Sequence, residues 1–412
     1  MDRLLKLAFS RIVKRGSLTL VTSRGTHLSF GDGSGEPIVV QLTDLLAEMA
    51  LLIDPDMRLG ELYMDGRFIV AQGNIYDFLH LILKEDQNRT HPLPAQLLDR
   101  VRSSLRRFRL RNLPGRSRRN VAHHYDLDGR LYELFLDADR QYSCAYFEHS
   151  APSLEEAQRA KKRHIIAKLQ LASHHKVLDI GSGWGGLACS LAQAGAFEVL
   201  GVTLSEEQLA YARQRLTGPE ADHVRFNLTD YRNVEGRFDR IVSVGMFEHV
   251  GVGSYPTFFR TCRKLLADDG VMLLHTIGCS AGPGFTTPWL DKYIFPGGYI
   301  PSLSEIVPEI ERAGLLVADI EILRTHYAWT LRAWRDRFMA RRSEAARLYD
   351  ERFCRMWEYY LAAAEVAFQC EDLVIFQIQI TRRPDTLPIT RNYIGEAERA
   401  HSGEEQILED VA

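Results

Sequence analysis

The stretch GMFEHVG, Gly245–Gly251, sets an acid beside an imidazole, Glu248 and His249, directly after the apolar run FDRIVSV, Phe238–Val244. Such a run reads as a buried strand, and in an open α/β sheet the groups just past a strand's carboxyl end face the ligand crevice. A second candidate is VLDIGSGWGG, Val177–Gly186, in which Gly181, Gly183 and Gly186 satisfy GxGxxG. These glycines permit a sharp turn and close backbone approach, and the helix that follows offers free amide groups. NAD and S-adenosylmethionine are both candidates for such a turn. An NAD site calls for an acid about 20 residues further on, at the end of the second strand. The chain reads GVTLSEEQ there, with Thr203 in the acid's place, which weighs against NAD and departs equally from the general methyltransferase pattern. Ser205 and Gln208 form an SxxQ that also suits a plain helix cap. Asp230, after the third strand, is placed either to accept from an adenine amino group or to close a strand-end turn.

These residues need a scaffold of strands alternating with helices, and the chain supplies one. SLEEAQRAKKRHIIAKLQL opens with a capping box, Ser153 to Glu156, and reads as a helix. Strand KVLDI, the Gly-rich turn, helix LACSLAQAG, strand EVLGVTL and helix SEEQLAYARQRL follow. Strands VRFNLTD and RIVSV, helix SYPTFFRTCRKLL and strand GVMLLHTIG come next. The alternation predicts a doubly wound, Rossmann-like parallel sheet. Residues 280–303, rich in Gly, Pro and aromatics, read as a lid or binding loop. Two long helical patterns and an apolar strand, LVIFQIQIT, complete the domain. Tyr349, Phe353, Trp357 and Tyr360 fall at helical spacing, which favours core packing over a cation cage.

The organisation before this domain is different. Residues 1–98 alternate apolar and polar positions around Gly/Ser turns and include two helical patterns, as expected of a small α+β unit. Residues 99–119 read as an Arg-rich linker, with nine arginines and no acid from Arg100 to Arg119. The catalytic domain is expected over 120–385, and 386–412 as an acidic, disordered tail.

At 412 residues, 45% of them hydrophobic and 25% charged, the chain has the composition of a globular protein of two domains. A formal charge of −3 gives no global field for nucleic acid. The six cysteines form no metal-binding spacing and read as reduced thiols, with Cys189 and Cys262 buried in helices. No run reaches the ~18–20 apolar residues of a membrane span. The start, MDRLLKLAFSRIVKRG, is a basic amphipathic segment without the pattern of a signal peptide. A cytoplasmic protein is expected.

QYSCAYF (Gln141–Phe147), VLDIGSGWGG, GVTLSEEQ, GMFEHVG, LLHTIG and HYAWTLRAW occur in one order. Together they resemble the cyclopropane fatty acid synthases and the related mycolic acid cyclopropane synthases, over roughly Asn120 to Thr381. The first ~100 residues match the plan of the small N-terminal domain in the phospholipid-acting branch. The resemblance implies methylene transfer from S-adenosylmethionine to the cis double bond of an unsaturated phospholipid acyl chain, with bound bicarbonate as the base that closes the ring. It implies a bicarbonate cage of Cys144, Glu248, His275, Ile277 and Tyr327. For the cofactor it implies Tyr142, Ser143, Asp179, Gly181, Gly183, Thr203, Leu204, Ser205, Gln208 and Asp230. Thr203 thereby becomes expected, whereas His249 matches no ligand and is left structural. A late-helix cysteine of some family members is Ala364 here, so no cysteine nucleophile is assigned. No metal is implied. The resemblance also implies transient association with the inner face of a membrane, aided by the arginine stretch, and a homodimer through the small domain. Two alternatives remain at this point: an alkyltransferase that adds a methyl or methylene branch without ring closure, and a non-catalytic lipid-binding protein.

Overall fold

The computed structural model describes residues 1–85, 128–148 and 153–409. The arginine stretch Arg100–Arg119 lies outside them. The described residues fall into two compact units, each built from three stretches of chain.

The first unit takes the described residues before 110 together with Phe285–Pro296 and Leu331–Leu373. Helix α1 (Asp2–Ile12) leads into β1 (Leu18–Val21), β2 (His27–Phe30), β3 (Ile38–Leu42), α2 (Leu45–Ile53), α3 (Pro55–Met64), β4 (Phe68–Gln72) and α4 (Ile75–Glu85). The strands order as β2-β1-β3-β4, with β1 antiparallel to β2 and parallel to β3. Leu18, Leu20, Val40 and Leu42 alternate inward along the strands, as half-buried strands require. Asp44 caps α2 by accepting from the Ala47 amide at 3.0 Å.

The expected lid is not a free loop in this structure. Within it, helix Pro288–Tyr293 buries Trp289, whose Nε1 donates to Met64 Sδ at 3.3 Å. Lys292 and Tyr293 both donate to Glu61 Oε1 at 2.8 Å. A Cβ at Gly60 would stand 2.4 Å from Trp289 Nε1, so only glycine lets the indole lie against α3. Phe285–Pro296 therefore belongs to the first unit, and the rest of the expected lid to the second, with Tyr299 in its core. The aromatics at Tyr349, Phe353, Trp357 and Tyr360 pack as expected: Tyr349, just before the long helix Glu351–Cys370, stacks on Phe353 at 3.9 Å, and Trp357 meets Tyr360 edge-on at 5.2 Å.

The second unit carries a seven-stranded sheet of order β10-β11-β9-β8-β5-β6-β7. Its strands are β5 (Lys176–Ile180), β6 (Glu198–Thr203), β7 (Val224–Leu228), β8 (Phe238–Val244), β9 (Leu266–Cys279), β10 (Leu316–Leu323) and β11 (Leu373–Thr381). From β7 across to β9 every pairing is parallel. Near-continuous apolar runs such as KVLDI and FDRIVSV follow from burial on both faces. β5 lies between β6 and β8, so the strand order reverses at its carboxyl end. That reversal opens a crevice. The capping box predicted at Ser153–Glu156 starts the helix Leu154–Leu169.

Three expectations need correction. The catalytic domain is not continuous over 120–385, because two of its stretches complete the first unit. Strand β10 joins β11 antiparallel, where the sequence pattern gives only helices. Its burial is shallow, so LVADIEIL lacks a clean apolar face. The tail expected to be disordered forms the helix Asn392–Glu409. It is held by buried Ile394, by Tyr393, whose hydroxyl accepts from Gln379 Nε2 at 2.7 Å, and by Glu398, 2.5 Å from His164 Nδ1.

Candidate active site

The crevice at the end of β5 is a pocket, and the loops leaving four parallel strands line it. Asp179, Ile180, Gly181 and Gly183 come from β5 and its turn; Val202, Thr203 and Leu204 from the end of β6. Asp230 and Tyr231 follow β7; Gly245, Met246 and His249 follow β8. Tyr142 and Ser143 complete the lining from the segment before the first helix of this unit's sheet.

Gly181 takes φ +86°, and a Cβ there would meet Met246 Cβ and Cγ at 2.8 Å. The turn therefore needs glycine for both its backbone and its space. At Gly183 a Cβ would meet nothing within 4 Å, so this backbone is open to a ligand. Burial pushes the Asp179 carboxyl up to about 7, with the charge of Lys161 acting the other way. Among the described residues nothing bonds Asp179 Oδ2, a buried acceptor lining the pocket. Trp184 and Tyr142 pack around Tyr132, with ring centroids 4.9 and 5.4 Å from it. Aromatic faces of this kind suit a cationic ligand.

Nine of the ten residues expected at the cofactor line this pocket. Ser205 does not; its Oγ accepts from the Gln208 amide at 3.2 Å and caps the helix Glu206–Gln214. Thr203 Oγ1 donates to Gln208 Oε1 at 3.0 Å and accepts from the Ser205 amide, so the SEEQ turn is tied to the end of β6. Asp230 lines the pocket with its carboxylate paired to Arg232, Oδ1 to Nε at 2.8 Å.

Of the five residues expected to form an anion cage, Glu248 follows β8, His275 and Ile277 lie on β9, Tyr327 is in the first turn of the helix His326–Ala340, and Cys144 is on the segment that carries Tyr142 and Ser143. Glu248 Oε1 accepts from the Ile277 amide at 2.6 Å, and the Glu248 carbonyl accepts from the Tyr299 amide at 2.9 Å. Gly245 N donates to the His275 carbonyl at 3.0 Å, which fastens the GMFEHVG turn to β9. Burial raises the Glu248 carboxyl above its ordinary range, with the Ile277 amide and Thr276 acting the other way. Thr276 Oγ1 itself bonds the Ile277 carbonyl at 3.1 Å. Glu248 Oε2 and His275 Nε2 are buried polar atoms with no hydrogen-bond partner among the described residues. Burial holds His275 neutral, its basicity far below the usual histidine range. Cys144 is buried and its thiol is pushed up by desolvation, far from a thiolate. The next amide, Ala145 N, donates to Thr330 Oγ1 at 3.0 Å, one turn along the helix from Tyr327. Tyr327 is buried as well.

Two residues outside the expected set belong to this neighbourhood. His249, read as structural, lines the pocket, and burial holds it down to about 4. Lys161, fully buried, donates to Ser143 Oγ at 2.9 Å and to Gln141 Oε1 at 2.7 Å, fixing the segment that carries Tyr142 and Ser143. A lysine on the inner face of the helix predicted from Ser153 was the available signal.

The model of the mycolic acid cyclopropane synthetase family matches residues 114–378. The chain is 40% identical over 334 residues to the cyclopropane-fatty-acyl-phospholipid synthase of Escherichia coli K12, covering 81% of this chain and 85% of that protein. It is 41% identical over 282 residues to a tuberculostearic acid methyltransferase of Mycobacterium tuberculosis, covering 65% of each. Among solved structures, mycolic acid cyclopropane synthase CmaA1, complexed with SAH and CTAB, superposes with a TM-score of 0.61 at 32% identity. That match covers 64% of this chain and 97% of CmaA1.

Proposed function

Because the chain belongs to the mycolic acid cyclopropane synthetase family, we propose that it transfers a methylene group from S-adenosylmethionine to the cis double bond of an unsaturated phospholipid acyl chain. The pocket at the end of β5 seats the methyl donor, whose sulfonium suits the aromatic surroundings. The alkene attacks the donor methyl carbon, the carbon–sulfur bond breaks, and S-adenosylhomocysteine leaves. The carbocation left on the acyl chain closes to a ring when the new methyl group loses a proton. Cys144, Glu248, His275, Ile277 and Tyr327 hold the small anion that receives it. Bicarbonate, when bound there, supplies the base. The observation that carries this reading is the pair of buried atoms without a hydrogen-bond partner among the described residues, Glu248 Oε2 in the turn after β8 and His275 Nε2 on β9 opposite the last residue of β8.

The test is mass spectrometry of acyl chains after incubating the protein with unsaturated phospholipid vesicles, bicarbonate and labelled S-adenosylmethionine. A labelled product one methylene heavier that resists hydrogenation supports ring closure. A labelled product that still takes up hydrogen points to a branching alkyltransferase. No label at all points to a lipid-binding protein.

The substrate sits in a bilayer, and no helix among the described residues is long and apolar enough to cross a membrane. The proposal is therefore a cytoplasmic protein that binds the inner membrane face reversibly. The nine arginines of Arg100–Arg119 support this, at ~1 kcal/mol per basic residue near an anionic surface. Exposed Leu45, Leu46, Met49 and Ile53 on α2 support pairing of two copies through the first unit. Light scattering of the purified protein tests it: a monomeric mass rejects the pairing.

A further inference from the structure

Strand β11 reads LVIFQIQIT, and its two glutamines are fully buried among apolar neighbours. Phe376, Ile378 and Ile380 point into the core cluster of the second unit, while Gln377 and Gln379 share the opposite face. Burying an amide is costly unless both its ends are bonded. Gln379 Nε2 finds the Lys168 carbonyl at 2.7 Å. Gln377 lies between Lys168 and His275: Lys168 Nζ donates to Gln377 Oε1 at 2.7 Å, and Gln377 Nε2 stands 3.1 Å from His275 Nδ1.

The chemistry of these groups fixes every proton along the chain. A lysine nitrogen paired with Glu321 is a donor, so the Gln377 oxygen must face it. The amide NH2 then faces His275 and can only donate. Nδ1 must accept, and a neutral imidazole that accepts at Nδ1 carries its one hydrogen on Nε2. Nε2 is the buried atom left without a partner among the described residues.

We propose that Gln377 and Lys168 are positioning residues that hold the His275 proton on Nε2, so that His275 offers a donor rather than a lone pair to the small anion of the cage. This rests on the reading of His275 given above. With the proton on Nδ1 instead, the Nε2 lone pair would face the anion and repel it. Glu321 extends the chain outward: it binds Lys168 and stands 2.7 Å from His164 Nε2, which anchors Lys168 against rotation.

The experiment reads the tautomer directly. The ligand-free full chain is labelled with 15N-histidine, and long-range nitrogen–proton correlations distinguish Nε2–H from Nδ1–H, with His275 assigned by loss of its signals in His275→Gln. The wild type should show a pyrrole-like Nε2 and a pyridine-like Nδ1. Gln377→Glu, whose carboxylate can only accept, should bring a proton to Nδ1; Gln377→Met should let both tautomers appear. Unchanged signals from the other histidines report an intact fold. In turnover assays the half-saturating bicarbonate concentration of Gln377→Met should rise roughly tenfold or more, with S-adenosylmethionine affinity unchanged. A wild-type proton on Nδ1, or an Nε2–H form that persists unmixed in both variants, overturns the proposal. The expected tautomers without any bicarbonate dependence would uphold the positioning role and reject the anion instead.

Discussion

Glu248→Gln separates the two things Glu248 can do. Its Oε1 accepts from the Ile277 amide at 2.6 Å, a bond that a glutamine oxygen keeps. Its Oε2, unpartnered among the described residues, becomes an NH2 donor. The fold should tolerate the exchange, because the one hydrogen bond that would strand a buried N–H survives. Glu248→Ala removes that bond and should cost about 1–3 kcal/mol from the unsatisfied amide alone. The sign of the pH dependence gives a second handle. Burial raises the folded-state value of Glu248 above its ordinary 4.5, so between the two values the folded chain binds more protons than the unfolded one. Stability from this group is therefore full below the ordinary carboxyl range and is lost as pH rises through the raised value. The side-chain amide of Glu248→Gln does not titrate, so denaturant titrations should show the variant gaining on wild type as pH rises through that window. Activity should go the other way. If Glu248 Oε2 accepts the hydroxyl hydrogen of the bicarbonate, a glutamine NH2 in its place cannot, and ring formation in Glu248→Gln should fall by at least about 10²-fold, while S-adenosylmethionine affinity, measured by calorimetry, stays within about twofold. Glu248 is outside the lining of the cofactor pocket, which is why the two readouts should part. Full activity in Glu248→Gln, or loss of cofactor binding in step with activity, would refute the cage assignment and leave Glu248 as a brace for Ile277.

Four other perturbations test separate parts of the structure. Gly181→Ala places a Cβ 2.8 Å from Met246 at φ +86°, and should weaken S-adenosylmethionine binding at least about tenfold in calorimetry through roughly 1–2 kcal/mol of backbone strain and displacement of Met246. Gly60→Ala drives a methyl into the Trp289 indole and should lower stability by about 1–3 kcal/mol in denaturant melts, without touching the cofactor pocket. Asp179, pushed up to about 7, should bind the cationic donor more tightly as it ionises; affinity should rise between about pH 6 and pH 8, and Asp179→Asn should flatten that rise. Neutralising Arg106, Arg107 and Arg109 should reduce binding to anionic vesicles more at low salt than at high, and unchanged sedimentation would leave the stretch as a plain linker.

The sheet was legible in the sequence because its strands are apolar throughout and its turns are marked by glycine. KVLDI and FDRIVSV announce two-sided burial, and GSGWGG announces the turn at the switch point. Asp179 and Thr203, at the ends of β5 and β6, and Asp230, just after β7, converge at one pocket. Less was legible wherever a residue's partner is remote in the chain. Trp289 reads as a lid residue until Gly60 and Met64, more than two hundred positions earlier, are seen to receive it. The closing helix Asn392–Glu409 is polar enough to read as disordered, and only Glu398 meeting His164 and Tyr393 meeting Gln379 show what orders it. Ser205 illustrates a different limit. A cap and a ligand contact ask for the same side chain, and spacing cannot choose between them. Gln377 was legible as a residue and illegible as a role, since its meaning comes from Lys168 on one side and His275 on the other.

The first unit borrows Phe285–Pro296 and Leu331–Leu373 from far along the chain, and this has a bearing on synthesis. A nascent chain that has emerged through residue 280 has its small sheet but lacks Trp289 and the long helix that packs on α3 and α4. Domains that are contiguous in sequence can complete themselves in order as they emerge. Here the earliest residues made are among the last to find their full core, and they wait with apolar surface uncovered for most of translation. A fragment ending at residue 85 should behave as that waiting state does, aggregating at concentrations at which the whole chain stays monodisperse in light scattering. A chaperone-depleted translation extract would expose the same interval as a loss of yield that extending the chain past residue 373 restores.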